Sequence, residues 1–205
     1  LTAGSISPKI TLVVGFDKDS VIKESKNYNL EISTADQPKP IGTGDAVKCG
    51  ITEVEDGSKV LVLYGDVPLI KKETLEELIS SSDEGLSILT TTLEDPHGYG
   101  RVKKDDLGNA LAIVEEKDAS TDEKNIKEIF TGVLCGQKEL IDEGLAKLDN
   151  NNAAGEFYLT DLVSIISNKG FKIKTYNAPN DEVKGANSKA ELAQLEGIYR
   201  KMKAE

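Results

Sequence analysis

The 205-residue sequence contains no tryptophan, one methionine, one histidine and only two cysteines. Cys49 and Cys135 can form no disulfide framework and match no metal-site spacing. Both have apolar neighbours, so we expect buried thiols and a cytoplasmic protein. The single histidine, His97, lies between Pro and Gly, and we interpret it as a loop residue and not as a catalytic base.

Long apolar runs and positive charge are also scarce. No apolar run approaches the ~18 residues of a membrane span, and no signal-peptide pattern is visible. The chain has 25 lysines and arginines against 36 aspartates and glutamates, which gives a net charge of −11. This balance argues against nucleic acid and against an anionic membrane as partners.

The sequence does contain short apolar runs, and these alternate with segments whose apolar residues have helical spacing. The run at Ile10–Val14 is ended by Gly15, and the run at Val60–Leu63 ends in Tyr64 and Gly65, which is typical of strands buried on both faces of a parallel sheet. We predict strands at 10–14, 29–32, 60–63, 86–92 and 171–176, a hairpin from 101–103 and 111–115, and helices at 19–24, 46–54, 75–79, 141–148, 160–169 and 188–199. This order predicts a single α/β domain over residues 1–205, with a mostly parallel sheet and helices on both faces.

Two helix starts carry recognisable signals. Thr160 is predicted to be an N-cap, and Gly170 marks the end of the same helix. Ser188 to Glu191 has the pattern of a capping box that opens the last helix. Three residues of that helix are predicted to face inward: Leu192, Leu195 and Tyr199.

Asp66 stands at the carboxyl end of the Val60–Leu63 strand, and Pro68 stops the segment. In open α/β sheets, ligands bind in the crevice at this end of the strands. A carboxylate there, on a protein that must hold phosphate, is better suited to bind a metal than to contact the phosphate directly, because two anions repel.

Six segments, in this order, are similar to one family: 42–46 (GTGDA), 63–69 (LYGDVPL), 95–101 (DPHGYGR), 113–118 (IVEEKD), 150–161 (NNNAAGEFYLTD) and 182–187 (EVKGAN). Together they resemble the uridyltransferase domain of the bacterial bifunctional UDP-N-acetylglucosamine pyrophosphorylase / glucosamine-1-phosphate acetyltransferase. The resemblance runs from about Ile10 to the C-terminus. It implies a Rossmann-like nucleotide-diphospho-sugar transferase fold.

The resemblance also implies a reaction. The phosphate of N-acetylglucosamine 1-phosphate would attack the α-phosphorus of UTP, giving UDP-N-acetylglucosamine and pyrophosphate for cell-wall synthesis. Family positions place Mg²⁺ between Asp66 and Asn187, which are then the catalytic and metal-binding residues. Mg²⁺ accepts such hard oxygen ligands and keeps several waters.

Further site residues follow from the same resemblance. The nucleotide would contact Gln37, Gly42, Thr43, Tyr64 and Gly65. The sugar would contact Gly100, Glu115, Tyr158 and Thr160. Lys117 is either a nearby cation or a solvated surface lysine.

The chain departs from the family at three places. The Gly-rich phosphate-gripping loop (LAAGKGTRM type) is missing: Leu1–Gly4 has the shape of its first four residues, but we interpret it as the end of a helix. The only two arginines are Arg101 and Arg200. We therefore expect either a fragment of a longer polypeptide or a sheet that closes differently; direct pairing of 10–14 with 60–63 would contradict the standard sheet.

The second departure is Phe130, which occupies the position of a sugar-binding asparagine and either fills the core or signals a different sugar. The third is the absence of the acetyltransferase domain after Glu205, so we expect a monomer without acetyl transfer. Two alternatives stay open: a nucleotidyltransferase for another sugar 1-phosphate, and a non-catalytic fragment that binds nucleotide sugars.

Overall fold

The computed structural model of the chain describes residues 2–83, 85–186 and 188–202. The helices are α1 (Thr2–Ile6), α2 (Lys18–Ser25), α3 (Thr43–Ile51), α4 (Lys72–Ser80), α5 (Thr121–Lys124), α6 (Lys138–Leu145), α7 (Asp161–Asn168) and α8 (Lys189–Met202), with a 3₁₀ turn at Asn180–Glu182. The strands are β1 (Ile10–Val14), β2 (Ile32–Asp36), β3 (Lys59–Val62), β4 (Gly85–Thr92), β5 (Arg101–Lys104), β6 (Ala110–Val114), β7 (Glu128–Gln137) and β8 (Lys172–Asn177). None of the helices in these ranges has the length and apolar character that crossing a membrane requires.

The main sheet is built around β7. Its strands follow the order β6-β5-β7-β4-β8, and β3 also pairs with β7. Leu134 of β7 pairs with Ile88 of β4 and with Val62 of β3, so these two strands flank it. Strands β3, β4 and β5 run antiparallel to β7, and β8 runs parallel to β4.

The predicted α/β class is confirmed, and the sheet is mixed. Strands β3, β4, β5 and β8 share one direction, while β7 and β6 run the other way. Most neighbouring pairs in this sheet are therefore antiparallel, although four of its strands point the same way. Strand β7, which the sequence pattern did not predict as a strand, is the cause, because it inserts between β3 and β4.

Helices cover both faces of this sheet, as predicted. Successive side chains of β7 point to opposite sides. Leu134 belongs to a buried cluster that includes residues of α6 and α7, whereas Val133 belongs to a second cluster with Leu75 and Leu78 of α4. The sheet thus separates two apolar layers, and the loops at its ends are left to form a site.

Strands β1 and β2 form a separate parallel pair, in register from Ile10 with Ile32 to Val14 with Asp36. Within the described ranges, β1 makes no ladder with β3. The pairing that would contradict the standard sheet is thus not seen. Helix α3 packs against β1 at Gly50, where a Cβ would lie 2.7 Å from a methyl group of Val13.

Several predicted boundaries are wrong. Strand β2 spans 32–36 and not 29–32, and α3 begins at Thr43, three residues before its predicted start. Strand β3 is half-buried and pairs only with β7 among the described strands, so it is not the fully enclosed strand predicted from Val60–Leu63. Helix α1 lies where the end of a helix was predicted.

The last helix begins after Ser188, whose hydroxyl accepts the backbone N–H of Glu191 at 3.2 Å, as a capping box requires. Its inward face was predicted less well. Leu195 is buried, but Leu192 and Tyr199 are exposed. The prediction for Thr160 was right in position only: it precedes α7, yet its side chain makes no capping hydrogen bond.

Candidate active site

The turn after β3 places Asp66 at the surface. The residue is exposed, and its backbone carbonyl oxygen accepts a hydrogen bond from the Ala186 N–H at 3.0 Å. Gly185 lies alongside, because a Cβ there would be 3.9 Å from Asp66 Oδ2. Asn187, the predicted second metal ligand, lies outside the described residues. The backbone that leads to it is nevertheless tied to Asp66.

The donor chemistry at this turn fits a magnesium ion. Among the described residues, no hydrogen bond or ion pair to the Asp66 carboxylate is seen, and Mg²⁺ prefers hard oxygen ligands of this kind. The same part of the chain contains no group of three or more His, Cys, Asp or Glu residues that could enclose a metal. Mg²⁺ does not need one, since it often binds through one or two carboxylates, substrate phosphates and water.

The predicted nucleotide loop leads into the N-terminus of α3. Gly42 has φ 129°, and a Cβ there would lie 2.3 Å from the backbone oxygen of Phe157. Only glycine fits this close approach. Gln37 is half-buried, and its amide nitrogen donates to the Gly42 carbonyl oxygen at 3.0 Å and to Asp45 Oδ2 at 2.9 Å.

This loop is joined by hydrogen bonds to the segment that carries the predicted sugar residues. The Phe157 N–H donates to the Ile41 oxygen at 2.8 Å, and the Gly44 N–H donates to the Phe157 oxygen at 2.8 Å. The Leu159 N–H donates to Thr43 Oγ1 at 3.2 Å. Residues 41–44 and 157–159 therefore form one unit, although they are more than a hundred positions apart in sequence.

Tyr64 connects this unit to the turn that contains Asp66. Its phenol hydrogen-bonds the side chain of Thr43, and its ring packs on Gly132, where a Cβ would lie 2.5 Å from the ring. Burial raises the pKa of the Tyr64 phenol; the Thr43 hydrogen bond opposes this, and the nearby carboxylates of Glu115 and Asp66 add to it. Gly65, the next residue, is exposed with open space around it, so packing does not require a glycine there.

Three of the four predicted sugar residues come together. The Thr160 hydroxyl donates to Glu115 Oε1 at 2.9 Å, and a Cβ on Gly100 would lie 3.5 Å from the same oxygen. Burial raises the pKa of Glu115, the Thr160 hydrogen bond lowers it, and Asp118 raises it further. The fourth residue, Tyr158, is half-buried with its pKa raised by burial and then by Asp118. Their roles toward a sugar stay predictions.

Two acidic residues of this region were not singled out from the sequence. Asp118 accepts the Ala153 N–H at 3.0 Å, which joins the loop after β6 to the loop before α7. The pKa of Asp161 is raised by burial and then by the negative charges of Asp149, Glu115 and Asp118. Asp118 and Asp161 lie in the motif segments 113–118 and 150–161, so their place in these segments is the sequence signal that could have identified them. An anionic substrate therefore meets negative charge on this side.

Arg101 holds the loop that contains Gly98 and Gly100. It is 2% exposed, and its guanidinium donates to Glu116 Oε2 at 2.6 Å and to the Tyr99 carbonyl oxygen. Glu116 also accepts the Gly98 N–H at 3.2 Å. The Nε of Arg101 is buried and has no hydrogen-bond partner among the described residues. Arg101 is therefore engaged within the fold, while Arg200 lies on α8 in an exposed pair with Glu196.

The remaining predictions concern single residues. Phe130 is 6% exposed and belongs to the larger core cluster, so it fills the core. His97 is an exposed loop residue, as interpreted from the sequence, and Lys117 is exposed as well. Cys135 is fully buried as predicted, whereas Cys49 is only half-buried.

Comparisons with known proteins identify the family of this chain. The profile of the nucleotidyl transferase family matches residues 15–196. The bifunctional protein GlmU of Alcanivorax borkumensis is 42% identical over 206 residues, covering 99% of this chain and 45% of that protein. GlmU of Psychrobacter sp. is 42% identical over 197 residues, covering 95% and 43%. The chain thus spans less than half the length of these curated relatives.

Solved structures show the same fold. The nucleoside-diphosphate-sugar pyrophosphorylase of Vibrio cholerae RC9 superposes with a TM-score of 0.71 at 16% identity, covering 95% of this chain and 82% of that one. HddC of Yersinia pseudotuberculosis gives a TM-score of 0.65 at 18% identity, covering 94% and 79%. At these identities the likeness concerns the fold alone.

Proposed function

Because this chain belongs to the nucleotidyl transferase family, we propose that it transfers uridylyl from UTP to N-acetylglucosamine 1-phosphate, or is the part of a longer protein that does so. A phosphate oxygen of the sugar phosphate attacks the α-phosphorus of UTP. The bond between the α-phosphorus and its bridging oxygen breaks, and pyrophosphate leaves. The observation that carries the proposal is the joined unit of residues 41–44 and 157–159, with Tyr64 linking it to the turn of Asp66.

The chain's own residues position the reactants. Gln37, Gly42 and Thr43 meet the base, with Tyr64 and Gly65 beside the phosphates. Glu115 and Thr160, which are hydrogen-bonded to each other, face the sugar hydroxyls, and Gly100 lies beside Glu115. Such a site works mainly by aligning two anions, since phosphoryl transfer needs little covalent help from the protein.

Charge is the second requirement. Asp66 and Asn187 would hold Mg²⁺, which neutralises phosphate charge when bound. The net charge of −11 and the ion pair that holds the buried Arg101 both disfavour the binding of a triphosphate. We therefore expect catalysis to depend strongly on the metal, and to be weak unless further cationic residues reach the phosphates.

Two measurements on the same preparation test the proposal. Calorimetry reports binding of UDP-N-acetylglucosamine, and a coupled assay reports pyrophosphate released from UTP, N-acetylglucosamine 1-phosphate and Mg²⁺. Binding with turnover supports the enzyme, and binding without turnover supports the non-catalytic alternative. A chain that does neither contradicts both.

Asp66→Ala separates the metal role from general charge effects. We expect it to reduce pyrophosphate release by about 100-fold or more, as for other groups that stabilise transition-state charge. Asp106→Ala is the matched control. This aspartate is exposed in the β5–β6 turn, and its substitution removes the same charge as Asp66→Ala. Turnover that survives Asp66→Ala would show that the metal assignment is wrong.

The identity of the sugar is less constrained, and Phe130 favours a second candidate. Its ring lies in the core, so it offers no hydrogen bond where the family has a sugar-binding asparagine. A different sugar 1-phosphate is therefore the alternative substrate. Competition between glucose 1-phosphate and N-acetylglucosamine 1-phosphate distinguishes the two: equal use of both supports the alternative, and a clear preference for the N-acetyl sugar contradicts it.

A further inference from the structure

The side-chain amide nitrogen of Gln37 donates to two acceptors. Its Nε2 donates to the Gly42 carbonyl oxygen at 3.0 Å and to Asp45 Oδ2 at 2.9 Å. The Gly42 oxygen also accepts the Ala46 N–H at 3.2 Å, inside the first turn of α3. The backbone N–H of Gln37 donates to the Val14 carbonyl oxygen at 2.7 Å, so both the backbone and the side-chain amide of this residue are held by hydrogen bonds.

These contacts determine which way the amide faces. A glutamine amide has two N–H donors on one side and a carbonyl acceptor on the other, whereas a carboxylate and a backbone carbonyl only accept. The amide atom beside Asp45 and Gly42 must therefore be the nitrogen. Both of its hydrogens are used there, and the side chain has only the acceptor Oε1 left for a ligand.

An acceptor at this place selects among nucleobases. The pairing edge of uracil has one donor, N3–H, between two carbonyl oxygens. Cytosine has an unprotonated N3 at the same ring position, so its lone pair would face Oε1. Buried polar groups left unpaired in this way cost more than the hydrogen bond gains, which is how sites reject close analogues.

We propose that Asp45 is a specificity-determining positioning residue, which holds the Gln37 amide so that its carbonyl oxygen accepts the uracil N3–H and disfavours cytosine. This rests on the proposed function, because it takes Gln37 to meet the base. Asp45 itself does not touch the ligand. Its half-buried position in the first turn of α3 keeps it beside Gln37.

The test is the ratio of the affinities for UDP and CDP, measured by calorimetry on the whole chain. We expect wild type to prefer UDP by about tenfold or more, and Asp45→Asn to reduce that ratio by about threefold or more, the range of one neutral hydrogen bond. The asparagine can donate to Gln37 Oε1, which allows the amide to turn and present its nitrogen to cytosine. Asp45→Ala removes the acceptor altogether and should reduce the ratio as well.

Two further variants separate the possible failures. Asp36→Asn removes the same charge one residue from Gln37, at an exposed carboxylate that pairs with Lys18, so it should leave the ratio unchanged. Gln37→Leu removes the base-reading group and should abolish the preference. Thermal melts verify that each variant is folded.

The outcomes are distinct. If wild type binds neither nucleotide, the proposed function fails. If Gln37→Leu abolishes the preference but both Asp45 variants keep it, the inference about Asp45 is wrong and the proposed function stands. A preference that persists in Gln37→Leu shows that the base is read elsewhere.

Discussion

Thr74 and Glu182 are joined by a buried hydrogen bond of 2.6 Å that spans 108 positions of sequence. Glu182 is 3% exposed, and its carboxylate also accepts the Lys71 N–H at 3.4 Å and pairs with the Lys71 ammonium at 3.1 Å. Lys71 precedes α4, so Glu182 caps that helix from a distant segment. Together with the hydrogen bond from Ala186 to Asp66, this contact fixes residues 182–186 against the turn that contains Asp66.

Glu182→Ala should therefore be costly. It leaves the Thr74 hydroxyl and the first turn of α4 without their acceptor, and we expect a loss of about 2–3 kcal/mol in the free energy of unfolding, the range for hydrogen bonds to a charged group. Urea denaturation measures it. Lys72→Ala is the control: it breaks an exposed pair with Glu76 in the same helix, so we expect less than about 1 kcal/mol. Equal losses in both variants would contradict the capping role.

The two arginines provide a matched pair for a second prediction. Arg101→Met breaks an ion pair with Glu116 in which the arginine is buried, and should cost about 3 kcal/mol or more. Arg200→Met breaks an exposed pair one helical turn apart and should cost about 0.5 kcal/mol or less. Urea titrations of both variants and wild type provide the comparison; the prediction is wrong if the two losses are similar.

The raised pKa of Glu115 leads us to predict that the difference in stability between wild type and Glu115→Gln depends on pH. The pKa of Glu115 is raised in the folded chain, so the folded state favours the protonated carboxyl. The resulting contribution to the free energy of unfolding is complete below the unfolded pKa near 4.5, and it is lost as the pH rises through the folded pKa. Glu115→Gln keeps an acceptor for Thr160 without the charge. The variant should therefore gain stability relative to wild type between pH 4 and pH 8, as measured by urea denaturation, while sugar binding weakens. A difference that does not change with pH would show that burial of the charge carries no cost.

Phe130 should behave as a core residue in stability measurements. Phe130→Asn removes a large buried side chain and buries an amide, for which we expect a loss of about 4 kcal/mol. Phe130→Leu keeps an apolar side chain and should lose only about 1 kcal/mol. A small effect of asparagine in a thermal or urea melt would mean that the ring does not pack as described.

Local patterns predicted the parts of the fold that local forces determine. The hairpin of β5 and β6 follows from its turn, where Asp105 accepts the N–H groups of Leu107 and Asn109. The direction of β3 could not be read from its apolar run, because it depends on β7 as neighbour. Strand β7 itself was missed because Gly132 and Gly136 interrupt its β-branched and apolar residues.

The candidate site divides in the same way. Asp66 could be placed from its own strand, and the other site residues came from resemblance in order and spacing. Asp45 and Glu182 lie in the motif segments 42–46 and 182–187, but nothing in the sequence indicated that Asp45 contacts Gln37 or that Glu182 contacts Thr74. Glu182 becomes a cap only when two segments far apart in sequence are folded together, which no local pattern contains.

The hydrogen bonds between residues 41–44 and 157–159 have a thermodynamic consequence. A ligand that orders one segment would also order the other. We therefore predict that the two substrates of the proposed reaction bind cooperatively: UTP should raise the affinity for the sugar phosphate by the same factor by which the sugar phosphate raises the affinity for UTP. We expect this positive cooperativity to weaken in Thr43→Val, which removes the hydroxyl that joins Leu159 to Tyr64.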